Sequence, residues 1–255
     1  MEQTTINKKD LAHILTVLTS KADKFEKTID KTIRKVLLVY DTDEMIGLYP
    51  MDDELTLLKY KNYKVTAVIS YEFLEITYIL YKDGEEILTA TKSNDEDIVR
   101  DEKGNYVTQP GKPYGYFVGL IASQLDAINV EGDLYNVLKQ QQDSIVKDTI
   151  SPISYDKGNR ISYDRSFDLG QYHITMNAVA DLIREADGAS DYYSLDVCYK
   201  LCNEKSELIA NGVNSEVYIK EIGDEVTAAE YTSCAEIAFT ELLGWLLCSH
   251  STIPE

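Results

Sequence analysis

The spacing of the apolar residues changes near residue 35, and this change restricts the fold more than any other feature of the sequence. Before it, apolar side chains recur at alternating steps of three and four residues, as on one face of a helix. That stripe consists of Leu11, Leu15, Leu18, Ala22, Phe25, Ile29 and Val36, with Thr32 filling the gap. After it, short runs rich in Val, Ile and Tyr indicate strands. Because no strand–helix–strand rhythm repeats, we predict an α+β fold with mostly antiparallel β-hairpins, several helices and a long C-terminal helix.

The first segment, residues 1–36, is predicted to be a helical arm. Ser20 and Asp23 have the spacing of a capping pair, which would divide the arm into two helices. The first 40 residues carry eight basic and five acidic side chains, whereas residues 41–255 carry 17 basic and 39 acidic ones. Such an arm packs either on its own domain or on another subunit, and the sequence pattern is compatible with both.

Residues 37–110 are predicted to form a β-rich acidic subdomain. Asp83-Gly84 has the composition of a two-residue hairpin turn. The predicted strands are Lys35–Tyr40, Lys64–Ser70, Glu72–Tyr81, Glu86–Thr91, Ile98–Arg100 and Asn105–Thr108. Pro110, Gly111 and Pro113 then interrupt the pattern, which places a subdomain boundary here.

Residues 111–255 are predicted to form an α+β subdomain. In Tyr193–Cys202, apolar and polar residues alternate almost without fault, as in a half-buried strand. A further strand is predicted at Val217–Ile222. The predicted helices are Tyr116–Ile128, Asp133–Lys147, Tyr172–Ala186 and Asp224–Leu247, the last with Asp224 as its N-cap.

The charge of the chain argues against tight nucleic-acid binding. Its 255 residues carry a net charge of −19, and a protein that neutralises phosphates needs a basic surface. The 19 tyrosines suit half-buried strands and subunit interfaces. The longest apolar run, Leu242–Cys248, is much shorter than the ~20 residues of a transmembrane helix. We therefore expect no membrane span and a protein made in the cytoplasm.

Asp41 and Asp43 form the sharpest chemical motif, at the end of an apolar run. Two carboxylates at this spacing can share a Mg²⁺ ion, or act as nucleophile and acid. Val36–Asp43 resembles the opening motif of haloacid-dehalogenase-type phosphatases, and some glycosyltransferases use a similar Asp-x-Asp. The phosphatase pattern has Thr or Val where this chain has Met45, and it requires a parallel sheet. We therefore interpret the region as an acidic loop, continued by Glu44 and Asp52–Glu54.

The cysteines do not match a strong metal-binding pattern. Cys198 and Cys202 would lie ~13 Å apart on a strand, too far to hold one zinc ion together. With Cys234 and Cys248, they are predicted to be reduced core thiols. We accordingly expect no cofactor, no metal and no catalytic residue.

Thr5–Leu11 begins a helix that leads into an acidic α+β body, and this arrangement resembles ring or connector subunits between portal and tail of tailed bacteriophages. The resemblance implies a non-enzymatic virion protein, assembled in the host cytoplasm as a homo-oligomer within a larger assembly, whose acidic surface lets DNA pass. The first alternative is an acidic inhibitor that mimics nucleic acid and occupies a basic groove of a host protein. The second is a Mg²⁺-dependent phosphate-processing enzyme built on Asp41 and Asp43.

Overall fold

The chain forms two compact units, Met1–Leu125 and Asp126–Glu255. A computed structural model describes residues 6–40, 52–70, 75–91, 97–100, 106–109, 113–125, 134–153, 161–184, 190–221 and 226–250. Each unit combines helices with a four-stranded antiparallel sheet, so the predicted α+β class is confirmed. The segment boundaries that the sequence suggests after residues 36 and 110 remain predictions.

The first unit is built around an antiparallel meander. Its elements are α1 (Lys8–Ser20), α2 (Ala22–Tyr40), β1 (Asp53–Tyr60), β2 (Tyr63–Ser70), β3 (Glu75–Lys82), β4 (Glu85–Thr91), β5 (Asp97–Arg100), β6 (Tyr106–Gln109) and α3 (Tyr114–Ser123). Strands β1 to β4 pair in chain order, and β5 pairs with β6. Asp83 and Gly84 both have positive φ, 54° and 89°, which confirms the predicted hairpin turn between β3 and β4.

The apolar stripe of the N-terminal helices lies in the core of the first unit. The Tyr114 hydroxyl of α3 donates to the Leu18 carbonyl oxygen at 2.9 Å, and the Tyr78 hydroxyl of β3 donates to the Glu26 carboxylate at 3.0 Å. The buried members of the stripe are Leu11, Leu15, Leu18, Ala22, Phe25 and Ile29, and Ile33, which the stripe did not include, is buried beside them. The side chain of Val36 is outside the described part of the structure. The sequence left two alternatives open for this arm, packing on its own domain or on another subunit. In the structure the two helices pack within their own unit.

The division into two helices is confirmed, because α1 ends at Ser20 and α2 begins at Ala22. The predicted capping pair does not explain it. The Ser20 hydroxyl donates instead to the Val17 carbonyl oxygen at 3.2 Å.

Two predictions for the first unit were wrong. Lys35–Tyr40 is not a strand but the last part of α2. Extending an existing helix adds one hydrogen bond per residue, and this outweighs the weak strand preference of Val36–Tyr40. Asp53 and Glu54 do not lie in a loop but begin β1, where Lys64 of β2 donates to Glu54 at 2.8 Å.

The second unit contains a second meander with two helices. Its elements are α4 (Leu134–Ile150), β7 (Ile161–Leu169), β8 (Tyr172–Arg184), β9 (Ser190–Asn203), β10 (Leu208–Glu221) and α5 (Ala228–His250). The sheet order is β10-β9-β8-β7, and all neighbours are antiparallel. The half-buried strand predicted at Tyr193–Cys202 is confirmed within β9, whose buried residues are Leu195, Val197, Tyr199 and Leu201.

The helix predicted at Tyr172–Ala186 was wrong, because this segment forms β8. Its residues alternate between a buried and a more exposed face. The buried ones are Ile174, Met176, Ala178 and Ala180. Ala, Met and Leu are good helix formers, but helix propensity amounts to less than about 1 kcal/mol per residue, and pairing with β7 on one side and β9 on the other determines the outcome.

Both helices of the second unit cover the same face of its sheet. The Tyr199 ring of β9 meets the Phe239 ring of α5 edge to face, with 5.3 Å between centroids. The Tyr199 hydroxyl lies 2.7 Å from the Thr149 hydroxyl of α4. We call this the inner face of the sheet, and the opposite one its outer face.

Candidate protein interface

The sequence-predicted acidic motif cannot be placed in a site. Asp41 and Asp43 lie outside the residues that the structure describes. Within the described ranges, there is no group of three or more His, Cys, Asp or Glu side chains arranged to hold a metal ion.

The cysteines divide into two pairs. Cys234 and Cys248 of α5 are buried, as predicted for core thiols, and Cys234 lies 3.4 Å from the Asn214 side-chain nitrogen. Cys198 and Cys202 of β9 are only partly buried, so the prediction of core thiols was wrong for them. They lie on the outer face, because the alternate residues of β9 form the inner core. Burial raises the pKa of the Cys198 thiol, which makes it a weak nucleophile.

Strand β10 is the surface of this unit with the strongest functional signal. It is the outermost strand of the sheet, and at 14 residues it is as long as β9, its partner. An edge strand presents unpaired backbone groups, and proteins usually blunt long edges with charges, bulges or covering segments. The contacts made along the edge of β10 therefore indicate whether this strand is protected or can pair with another one.

One backbone group of the edge is satisfied by a side chain of α5. The Val213 backbone N–H donates to the Glu241 carboxylate at 2.9 Å, and Glu241 is only 5% exposed. This bond shows that the Val213 N–H points away from β9. In antiparallel pairing the direction of the backbone groups alternates residue by residue, and the register with β9 is unbroken from Ala210 to Glu221. The N–H and C=O groups of Ser215, Val217 and Ile219 therefore also point outward, away from the sheet.

The approach of α5 to β10 depends on a glycine. A Cβ atom at Gly212 would lie 2.0 Å from the Ala238 carbonyl oxygen and 2.5 Å from the Leu242 nitrogen. Only a residue without a side chain permits this contact. The close packing holds the first half of β10 firmly against α5.

The inner-face side chains of the second half of β10 hold the start of α5. The Tyr218 hydroxyl lies 2.7 Å from the Glu216 carboxylate and 2.9 Å from the Glu230 carbonyl oxygen. The Tyr218 ring packs edge to face on Tyr231, with 5.7 Å between centroids. Lys220 donates to the Glu230 carboxylate at 2.6 Å. These contacts fix which face of β10 is turned inward.

Glu230 also closes a capping box at the helix start. Its carboxylate accepts from the Thr227 backbone N–H at 2.7 Å, and the Thr227 hydroxyl accepts from the Glu230 backbone N–H at 3.3 Å. The hydrogen bond from Lys220, followed by the two from Thr227, lowers the pKa of Glu230 to about 2. Thr227 is thus the N-cap, and the prediction of Asp224 for this role was wrong; Asp224 itself lies outside the described residues.

Two outer-face side chains of the same half of β10 are apolar and exposed. Val217 is 64% exposed and Ile219 is 63% exposed, the highest values among the large apolar residues that the structure describes. Val217 and Ile219 are also two of the residues whose backbone groups point outward. The segment Ser215–Glu221, called the open edge below, therefore combines outward backbone groups that pair with no other strand in the described ranges with exposed apolar side chains, as strand-pairing interfaces do.

The sequence predicted a strand at Val217–Ile222 but not its functional role. Apolar Val217 and Ile219 alternate with Tyr218 and Lys220, and the usual interpretation would bury the aliphatic pair. The available signal was that Glu216 and Lys220 are polar and lie on the same side as Tyr218. The first turn of the following helix offers partners for Tyr218 and Lys220.

Comparisons with protein-family models, with curated proteins and with solved structures find no match to this chain. None of the helices in the described ranges is long and apolar enough to cross a membrane.

Proposed function

We propose that this chain is a non-enzymatic structural subunit, which assembles with other protein chains through the open edge of β10. The observation that carries the proposal is that the exposed Val217 and Ile219 lie on the same edge segment whose backbone groups point outward. An added strand would bond to those groups, and its side chains would cover the two apolar residues. The anchoring of Tyr218 and Lys220 on α5 keeps the edge ordered before a partner arrives, which lowers the entropic cost of association.

The finer proposal is a virion component, a ring or connector subunit between portal and tail of a bacteriophage, assembled in the host cytoplasm. It is supported by the resemblance of the N-terminal helix and acidic body to such subunits. It is also supported by the net charge of −19, because a channel for DNA should repel phosphates rather than bind them.

The proposal is tested by blocking the open edge with charge. Val217→Lys/Ile219→Lys replaces both exposed apolar side chains, and it should weaken assembly roughly tenfold or more, as expected for the loss of interface anchors. Sedimentation at matched protein concentrations measures the change. Leu208→Lys is the matched control, since Leu208 is 58% exposed on the same strand but lies at its other end, opposite Cys202. A wild-type chain that stays monomeric in solution and in its native particle contradicts the proposal, as does a double variant that assembles like the wild type.

The alternative, an inhibitor that mimics nucleic acid, requires closely spaced carboxylates on one surface. The outer face of the second sheet gives this little support. Asp164 lies opposite Asn177, and Asp196 lies opposite Val179 and Ser215, so uncharged residues separate the acids in these rows of the sheet. The third candidate, a Mg²⁺-dependent enzyme, predicts that Asp41→Asn abolishes a measured phosphate-processing activity.

A further inference from the structure

We infer that the occupant of the open edge is a second copy of this chain, with the two β10 strands antiparallel about a two-fold axis at Tyr218. The inference rests on the proposed function and specifies its partner. Three features of β10 support it: the direction of its backbone groups, the order of its side chains and the point at which its edge is closed.

The direction of the backbone groups limits the registers that two copies can adopt. In an antiparallel pair, residues whose N–H and C=O groups point toward the partner lie opposite each other. In β10 these are the odd-numbered residues Ser215, Val217 and Ile219, as the bond from Val213 to Glu241 shows. Two copies therefore pair odd with odd and even with even, which requires the two-fold axis to pass through a residue rather than between two.

The side chains select one register among these. With the axis at Tyr218, Val217 lies opposite Ile219 of the partner subunit. Because of the two-fold symmetry this apolar pair occurs twice in the interface. Glu216 then lies opposite Lys220 of the partner subunit, so opposite charges lie next to each other at two points, while Glu216 keeps its contact with Tyr218 and Lys220 its contact with Glu230. With the axis at Val217, Ile219 would instead face Ser215 of the partner subunit, and Glu216 would face Tyr218 of the partner subunit. In that register Val217 would still face its own copy, but Ile219 would lose its apolar partner and Glu216 its opposite charge.

The Glu241 carboxylate defines where the pairing ends. In this register the segment Ser215–Glu221 pairs with itself, and the next outward group in line is that of Val213. The Val213 N–H is already bonded to Glu241, so the edge is closed where the self-complementary segment stops. Within the described part of β10, the outward groups beyond this bond toward the C-terminus are those of the open edge.

The resulting interface is isologous, because the same surface serves both copies. The axis stands perpendicular to the sheet, so the two four-stranded sheets become one continuous sheet. The inner faces stay on the same side, and the outer faces join Val217 and Ile219 of both copies into one apolar cluster. An isologous pair closes on itself, so a ring subunit would need a second surface in addition.

Site-specific disulfide formation tests the register. Cys198→Ser/Cys202→Ser removes the two partly exposed thiols, and Val217→Cys and Ile219→Cys are introduced into this background as separate, differently tagged variants. Residues directly opposite each other in a hydrogen-bonded pair have Cα atoms ~5.5 Å apart, within disulfide range. The distance between the two copies of Val217 would be roughly 8–9 Å, beyond that range. Co-expression of the two variants should therefore give a disulfide-linked heterodimer on mild oxidation, and either variant alone should give little.

The outcomes separate this inference from the proposed function. If wild-type protein assembles and Val217→Lys/Ile219→Lys prevents it, but the co-expressed cysteine variants do not cross-link, the second copy at this edge is wrong and another protein strand is its partner. Cross-linking of Val217→Cys alone at an equal yield also overturns the register. If the wild type does not assemble at all, the proposed function itself fails. Because both positions are exposed on the outer face, the cysteine variants should keep the wild-type circular dichroism spectrum.

Discussion

Val217 and Ile219 break the ordinary rule that aliphatic residues of a strand face the core. Burying such a side chain typically stabilises a protein by ~1.5–3 kcal/mol relative to leaving it exposed. In β10 the two aliphatic side chains stay exposed, so this stabilisation is not obtained. Tyr218 faces inward instead, and its hydroxyl and ring contact α5. Departures of this kind from local consistency are expected at functional positions. The alternation of residues 216–221 could be predicted from the sequence, but the choice of the inward face could not, because it depends on hydrogen-bond partners on a distant helix.

Glu230 should make the attachment of α5 sensitive to acid. Its folded-state pKa of about 2 lies below the ordinary value of 4.5, so its contribution to stability is fully present above pH 4.5 and is lost as the pH falls toward 2. The difference in unfolding free energy between wild type and Glu230→Gln should therefore be largest above pH 4.5 and vanish near pH 2. Urea unfolding at a series of pH values measures it. Glu236→Gln, at an exposed acid of the same helix, is the control; an equal pH dependence for both variants would contradict this role of Glu230.

At the scale of elements, α1 and α2 belong to the core of the first unit rather than forming a free arm. Leu18 is fully buried, and its carbonyl oxygen accepts from Tyr114 of α3. Leu18→Ala should therefore lower the unfolding free energy of dilute, unassembled protein by ~2–5 kcal/mol. Urea unfolding followed by circular dichroism measures it, with Val17→Ala at a less buried neighbour as the control. An arm that docks only on another subunit would leave the stability of the dilute protein unchanged.

Elements with a clear hydrophobic period could be predicted, and those fixed by tertiary packing could not. Local sequence is enough to predict the strand β9 from its alternation, the turn at Asp83-Gly84, and the helices α1 and α2 from their apolar stripe. The first half of β10 does not, because Asn211, Gly212 and Asn214 disfavour strands. Gly212 is explained only by the close approach of α5, which no local pattern encodes.

At the scale of the whole molecule, the charge should oppose assembly and salt should favour it. Two copies carry −19 each and repel, whereas the open edge offers apolar side chains and backbone hydrogen bonds. Raising the salt concentration from about 0.1 M to about 1 M shortens the Debye length from ~10 Å to ~3 Å, which screens the repulsion. The dissociation constant, measured by sedimentation, should therefore fall as salt rises. An acidic inhibitor bound to a basic partner predicts the opposite trend, so tighter binding to such a partner at low salt would favour the nucleic-acid mimic.

Amide hydrogen exchange along β10 tests most directly whether the open edge is the assembly surface. In dilute protein the outward N–H groups of Val217 and Ile219 should exchange rapidly, and in concentrated, assembled protein they should exchange at least ~10-fold more slowly. The N–H of Val213 is an internal control, since its bond to Glu241 protects it at both concentrations. If Val217 and Ile219 exchange equally fast in assembled and dilute protein, assembly does not use this edge.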